Sequence, residues 1–360
     1  MDDGVKTNLL VTGGVDTHKH IHTAAAVDAR GRKLGTASFP ATQAGYEQLL
    51  AWLRSFGEVE RIGVEGTGSY GSGLSQHLRQ SGICLVEVNR PNRQARRRHG
   101  KSDEADAEAA ARATLARDAV GTPKSQDGSV EVIRILRIER RSAIQARTQA
   151  ANQLHAVVST APESLRVDLR GLRLALLIAC VSKYRRTVPR DPVAATRLVL
   201  RGLADRWLQL DREVDALDHH LTALAQAIAP DLLALRGVGV EVACALLVAA
   251  GDNPERLAHE ASFAALCGVS PVDASSGRQH RHRLNRGGNR DANRALWVVA
   301  FVRLRCDART RTYIERRTTE GLSKPEILRC LKRYIAREVF KILTAPRLIL
   351  DQRQHPKKAA

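Results

Sequence analysis

The sequence predicts an α/β domain followed by an all-α remainder, and three observations carry that division. Residues 9–89 hold short apolar runs separated by turn formers, the pattern of strands interleaved with short helices. Beyond residue 129 the apolar residues recur mostly at helical spacing, most regularly in Leu203, Trp207, Leu210, Val214, Leu217, Leu221, Leu224 and Ile228. Between these regions, Gly121–Ser129 is rich in Gly, Pro, Ser and Asp and reads as a linker.

Taken in order, Leu9–Asp16, His22–Asp28 and Lys33–Phe39 form a meander, with Ala29–Arg32 as the second turn. A helix over Gln43–Phe56, a strand over Arg61–Glu65, a helix over Ser72–Gln80 and a strand over Ile83–Val88 follow. Three antiparallel strands and then helix–strand–helix–strand is the order of an RNase H-like sheet. An Ala-rich helix over Asp103–Leu115 closes the domain. The steps from Leu203 to Ile228 alternate between four and three, the a/d seam of a coiled coil. The same stripe also suits an ordinary amphipathic helix in a bundle. Either way it wants a partner, and a less regular helix at Ile133–Val158 is a candidate. Leu235–Ala243 reads as a helix-hairpin-helix turn, in which Gly237 and Gly239 present backbone N–H groups suited to a phosphate. A plain helix connection fits it equally. The expected organisation is 1–120 for the α/β catalytic domain, 130–229 for a helical coiled-coil or oligomerisation region, and 230–350 for a mostly helical C-terminal domain.

Charge narrows the function. The 360 residues carry 57 Lys+Arg against 38 Asp+Glu, a net +19, with an isoelectric point near 10.4. That excess points to a polyanionic partner, most often nucleic acid. With 4% aromatic residues, recognition leans on backbone charge rather than base stacking. The apolar run Leu174–Val181 is far short of the ~20 residues that span a bilayer, and the acidic start Met1–Lys6 does not suit a signal peptide. Cys84, Cys180, Cys244, Cys267, Cys306 and Cys330 are scattered without a C-x-x-C pair. They read as small buried hydrophobes in a reducing cytoplasm. The expected location is cytoplasmic, at the nucleoid.

Four carboxylates stand out. Asp16 ends the first strand and Glu65 the fourth, neighbours in an RNase H-like sheet. Asp103 and Asp106 share one face at the start of the Ala-rich helix. Converging carboxylates repel unless a cation sits among them, and hard oxygen donors suit Mg²⁺, which clamps the oxygens of a phosphodiester during displacement. Alone, Asp103 and Asp106 also read as helix-terminal residues. The alternating His18, His20 and His22 read as partly exposed strand-edge residues rather than a transition-metal site. Basic residues cluster at Arg90, Arg93, Arg96, Arg97, Arg98 and Lys101, and again at Arg278, Arg281, Arg283, Arg286, Arg290 and Arg294. Both suit a phosphate-backbone cradle. Ser275 and Ser276 precede Gly277 and lead into the second cluster. By composition this is a turn, and a serine there also suits nucleophilic attack on a phosphodiester.

These motifs carry a resemblance. Gly14–Lys19, Val64–Gly68 and Lys101–Ala107 in the first part, then Arg236–Gly239, Ala250–Asp252, Phe263, Gly268–Pro271, Ser276-Gly277, Arg286–Asn289 and Arg294, follow one another as in the insertion sequence 110 family of transposases, related to the Piv invertases. The resemblance spans nearly the whole chain. It implies a RuvC-like domain whose D-E-D-D tetrad, Asp16, Glu65, Asp103 and Asp106, binds Mg²⁺. It also implies that Ser276 is the nucleophile, forming a transient covalent link to DNA. A homo-oligomer, dimer or tetramer, would assemble the site between protomers, and a structured guide RNA from the element's ends would choose donor and target DNA. The chain departs from the family pattern in having Ser275 beside Ser276, Ala274 before them, and Asn293-Arg294 where Leu-Arg is commoner. The alternative within enzymes is a RuvC-like structure-specific endonuclease using metal-activated water. A non-catalytic nucleic-acid binder is disfavoured by the intact tetrad. A sugar-kinase-like ATPase is disfavoured by Asp16-Thr-His-Lys, which lacks the glycine-rich turn.

Overall fold

A computed structural model describes residues 9–88, 102–118, 120–275 and 282–345. The chain forms two compact units, divided between Ser125 and Gln126.

The first unit is built on a six-stranded mixed sheet in the order β3-β2-β1-β4-β5-β6. Its elements are β1 (Leu10–Thr17), β2 (Ile21–Asp28), β3 (Lys33–Pro40), α1 (Gln43–Arg54), β4 (Glu58–Glu65), α2 (Ser72–Gln80), β5 (Cys84–Val88), α3 (Asp103–Ala116) and β6 (Val120–Gly121). The meander is antiparallel, while β4 runs parallel to β1 and β5 parallel to β4. Alternate side chains of a strand face opposite ways, and β2 uses both faces. Ala24 and Ala26 join the core with Leu49, Leu53, Leu74 and Leu78 of α1 and α2, whereas Ala25 and Val27 pack with Ala107 and Ala111 of α3.

Glycine sets how close α3 lies to the sheet. A Cβ on Gly14 would fall 2.0 Å from Ala111 N, and one on Gly63, its partner across the ladder, 1.8 Å from Thr114 Oγ1. Backbone therefore meets helix directly over β1 and β4, which explains both the glycines and the alanine-rich face of α3. Ser102 caps that helix, its Oγ accepting the Ala105 N–H at 3.2 Å.

The second unit comprises α4 (Ser129–Thr160), α5 (Glu163–Leu169), α6 (Leu174–Val181), α7 (Pro192–Ile228), α8 (Pro230–Ala234), α9 (Val240–Ala250), a 3₁₀ turn (Pro254–Arg256), α10 (Glu260–Leu266), the two-residue strands β7 (Val272–Asp273) and β8 (His282–Arg283), α11 (Arg290–Cys306), α12 (Ala308–Thr319) and α13 (Lys324–Leu343). The long helices α4 and α7 pair antiparallel. Arg140 bonds both Asp218 oxygens, at 2.5 and 3.1 Å, while the later Arg147 meets the earlier Asp211. At one end of this hairpin Val130, Ile133, Leu221 and Ile228 share a core with α8–α11 and α13. At the other, Leu154, Val158 and Leu200 pack with α5 and α6.

The apolar seam on α7 thus finds its partner inside the chain. Val214, Leu217, Leu221 and Ile228 are buried, and Leu203, Trp207, Leu210 and Leu224 half-buried, against α4 and the ends of the hairpin. Nor are the cysteines uniformly buried. Cys244 and Cys267 are, with burial pushing both thiols up to about 12, but Cys84, Cys180 and Cys306 are exposed and Cys330 is half-exposed. Among the described residues no helix is long and apolar enough to cross a membrane.

Candidate active site

Parallel pairing of β1 and β4 brings their C-terminal ends side by side, and the Thr17 hydroxyl fastens them by donating to the Glu65 carbonyl at 2.8 Å. Asp16 and Glu65 therefore end adjacent strands. The first turn of α3 adds Asp103 and Asp106. Asp16, Glu65 and Asp106 are each 8% exposed, and Asp103 is exposed. His18, in the β1–β2 turn, joins two of them: its Nε2 is 3.2 Å from Asp16 Oδ2 and 3.3 Å from Asp103 Oδ1. One donor atom from each of Asp16, His18 and Asp103 lies within 4.8 Å of the other two. Glu65 and Asp106 are outside that trio.

Burial pushes the Asp16 carboxyl above its usual range, Asp106 and Asp103 push it the same way, and His18 opposes them. An acid crowded by burial and like charges is where a divalent cation relieves the most repulsion. The hard oxygen donors converging here fit such an ion.

His22 departs from the strand-edge expectation. It sits on β2, between β1 and β3, is 0% exposed, and stacks on Tyr46 with ring centroids 5.6 Å apart. Among the described residues, neither of its ring nitrogens has a hydrogen-bond partner.

In the second unit the signature glycines hold a loop crossing. A Cβ on Gly268 (φ +64°) would meet Gly287 O at 2.4 Å, and one on Gly288 (φ +84°) would meet Gly268 N at 2.6 Å. Asn289 then caps α11 by accepting the Ala292 N–H at 3.0 Å. Asn293 donates to the carbonyls of Cys267 at 2.8 Å and Gly268 at 3.2 Å, and accepts from Lys332 Nζ at 2.9 Å. Asn293 thus ties the base of the loop to α11 and α13. Lys332 is 7% exposed, and burial, with Arg329 nearby, holds its amine below the usual range. Along the loop, Ser275 N–H donates to Asp273 Oδ1 at 2.8 Å. The Ser275 hydroxyl and amide keep that carboxyl below its ordinary value. Ser276 and Arg281, like Arg93, Arg96, Arg97, Arg98 and Lys101, lie outside the described residues.

Arg283, Arg286 and Arg290 are exposed. Arg283 lines a cavity of about 810 Å³ with Arg317, Arg329, Lys332, Arg333 and Arg337, against one acid among the described lining residues, Glu326. Arg286 and Arg290 line a hollow of about 380 Å³ with Arg294 and Trp297. The α13 cations were missed in the sequence, although Arg329, Arg333 and Arg337 stand at i, i+4 spacing on one helix face. Glu260 holds two of them, Arg333 and Arg337.

Comparison with known proteins bears on both units. Residues 13–161 match the profile of the DEDD transposase domain of IS110, and residues 229–315 that of the IS116/IS110/IS902 transposase family. A 43.6 kDa protein of insertion element IS110 from Streptomyces coelicolor is 34% identical over 41% of this chain and 36% of its own length. A 42 kDa protein of IS900 from Mycobacterium paratuberculosis is 30% identical over 41% of this chain and 37% of its own. The chain therefore spans little more than a third of the length of these two relatives. A mini-circle protein of IS117 from Streptomyces coelicolor, whose name gives it provisionally as a transposase, is 25% identical over 87% of this chain and 89% of its own.

Proposed function

The chain belongs to the IS110 family of transposases, and from that premise we propose that it is the recombinase of an insertion sequence, cutting and rejoining DNA with a serine nucleophile beside a carboxylate-held Mg²⁺. The observation that carries this reading is the convergence of Asp16 and Asp103, with Glu65 buried at the end of the adjacent strand and Asp106 buried on the same helix turn as Asp103. The strand order supports an RNase H-like, RuvC-like sheet for the first unit, and in this reading 1–120, 130–229 and 230–350 are the catalytic, helical and serine-bearing regions of the chain. Asp16, Glu65, Asp103 and Asp106 are the residues that would hold the metal. When bound, the ion neutralises charge on the phosphodiester oxygens.

Ser276 is the nucleophile in this reading, the role that the resemblance to the family implies for it. As the Ser276 Oγ–P bond forms, the bond from phosphorus to a deoxyribose oxygen breaks. The serine proton leaves and the departing oxygen gains one. A strand hydroxyl then reverses the step and frees the serine, so phosphodiester bonds are conserved and no high-energy cofactor is consumed. Arg283, Arg286 and Arg290, with Arg281 and the cluster Arg93, Arg96, Arg97, Arg98 and Lys101, bind the backbone of donor and target DNA and of a structured guide RNA. A homo-oligomer, dimer or tetramer, brings serine and carboxylates of different protomers together, at the nucleoid.

The test is cleavage of end-labelled element DNA by the full chain, with Mg²⁺ and RNA transcribed from the element's ends. A detergent-resistant protein–DNA adduct is expected, lost together with cleavage in Ser276→Ala. Cleavage that persists in Ser276→Ala without an adduct would replace this reading with that of a nuclease using metal-activated water.

A further inference from the structure

The metal centre proposed above is made of carboxylates, yet the donors that meet most closely include an imidazole. His18 Nε2 stands 3.2 Å from Asp16 Oδ2 and 3.3 Å from Asp103 Oδ1, and all three donor atoms fall within 4.8 Å of one another. Ligands bound at roughly 2.1 Å to one small divalent ion lie about 3.0 Å apart when adjacent and about 4.2 Å apart when opposite. The two spacings from His18 are close to those of adjacent ligands. The turn keeps the ring there, for the His18 N–H donates to Ile21 O at 3.1 Å and so closes the β1–β2 hairpin. The side chain is 47% exposed, so the ring edge is open to ions from solvent.

Resting on the carboxylate reading, we propose that His18 is a nitrogen ligand of this centre, making it a mixed Asp/His site that prefers Mn²⁺ to Mg²⁺. The chemistry gives the direction. Mg²⁺ keeps to oxygen donors and sheds water reluctantly, whereas the transition series binds imidazole increasingly well from Mn²⁺ onward. An imidazole in the first coordination sphere therefore adds affinity for Mn²⁺ and little for Mg²⁺. The other two histidines of this stretch do not compete for the role, since neither His20 nor the buried His22 belongs to the trio.

The experiment is pulsed electron paramagnetic resonance on Mn²⁺ bound to the full chain, with Mn²⁺ and Mg²⁺ affinities measured by calorimetry and no DNA present. One imidazole ¹⁴N coupling is expected, converting to the ¹⁵N pattern in protein labelled at histidine. In His18→Gln the coupling vanishes and the Mn²⁺ over Mg²⁺ preference falls by about tenfold. Bound Mn²⁺ without a nitrogen coupling, or a coupling that survives His18→Gln, overturns the role of His18 and leaves the carboxylate centre standing. The labelled wild-type protein decides this even if the variant folds poorly. Mn²⁺ affinity unchanged in Asp16→Asn/Asp103→Asn overturns the carboxylate centre itself.

Discussion

Asp106 shows what one buried charge does to its neighbours. It raises the repulsion felt by Asp16 from the first turn of a capped helix, so Asp106→Asn should leave α3 in place while weakening metal retention. Single-turnover cleavage is expected to fall by about a hundredfold or more with DNA binding unchanged by gel shift. His22 supplies a pH dependence. Burial pushes its imidazole below the ordinary 6.5, so the folded protein holds it neutral while the unfolded chain takes up a proton as pH falls through that value. Stability from this residue is thus fully present above 6.5 and lost below it. Urea titrations of His22→Phe should be flatter between neutral pH and pH about 5 than those of the wild type, and the variant should gain about 1 kcal/mol by removing two orphaned ring nitrogens. A variant that tracks the wild-type pH dependence would assign that dependence elsewhere. His18 and His22 alternate in the sequence and look alike there. The fold separates them, placing one in an open turn and the other on an interior strand, because a period of two does not say how many strands will flank it.

At the level of elements, the strands and short helices of the first unit were legible because each buries a face with a clear period. The position of α3 was legible only as a helix. What brings its acids to the sheet is the missing Cβ at Gly14 and Gly63, a close approach that no periodicity encodes. Gly14→Ala should therefore cost both stability and Mn²⁺ affinity, since its Cβ would sit 2.0 Å from Ala111 N. Gly202→Ala, in α7 with open space around it, should gain about 0.5–1 kcal/mol. Equal thermal shifts for the two would contradict this packing. The α7 seam was equally legible, but its partner was not: a stripe specifies that something covers it, not whether that is a second subunit or α4. The start of α4 depends on a distant residue as well. Gly128 has no side chain to cap it, and Asp252 accepts the N–H groups of Val130 at 2.7 Å and Glu131 at 3.1 Å. Asp252→Ala should destabilise the second unit by about 1–2 kcal/mol in denaturant unfolding. The Ala250–Asp252 motif thus has a structural reason for its residues.

For the whole molecule, the net charge of +19 was the plainest message of the sequence, and the cleft that concentrates part of it was not, because its arginines come from β8, α12 and α13. If the basic surfaces grip phosphate backbone, DNA affinity should fall by about 10³ or more between 50 and 200 mM salt, and Arg283→Ala/Arg329→Ala should flatten that slope in fluorescence anisotropy. Salt-independent binding would point to recognition by other means. The central claim, that acids from β1, β4 and α3 hold one catalytic metal, is most directly tested by anomalous diffraction at the manganese edge from crystals of the full chain grown with Mn²⁺. The account predicts a peak bonded to Asp16 and Asp103, with the carboxylates of Glu65 and Asp106 turned toward it. A peak bound elsewhere, with these four side chains left without metal, would contradict it.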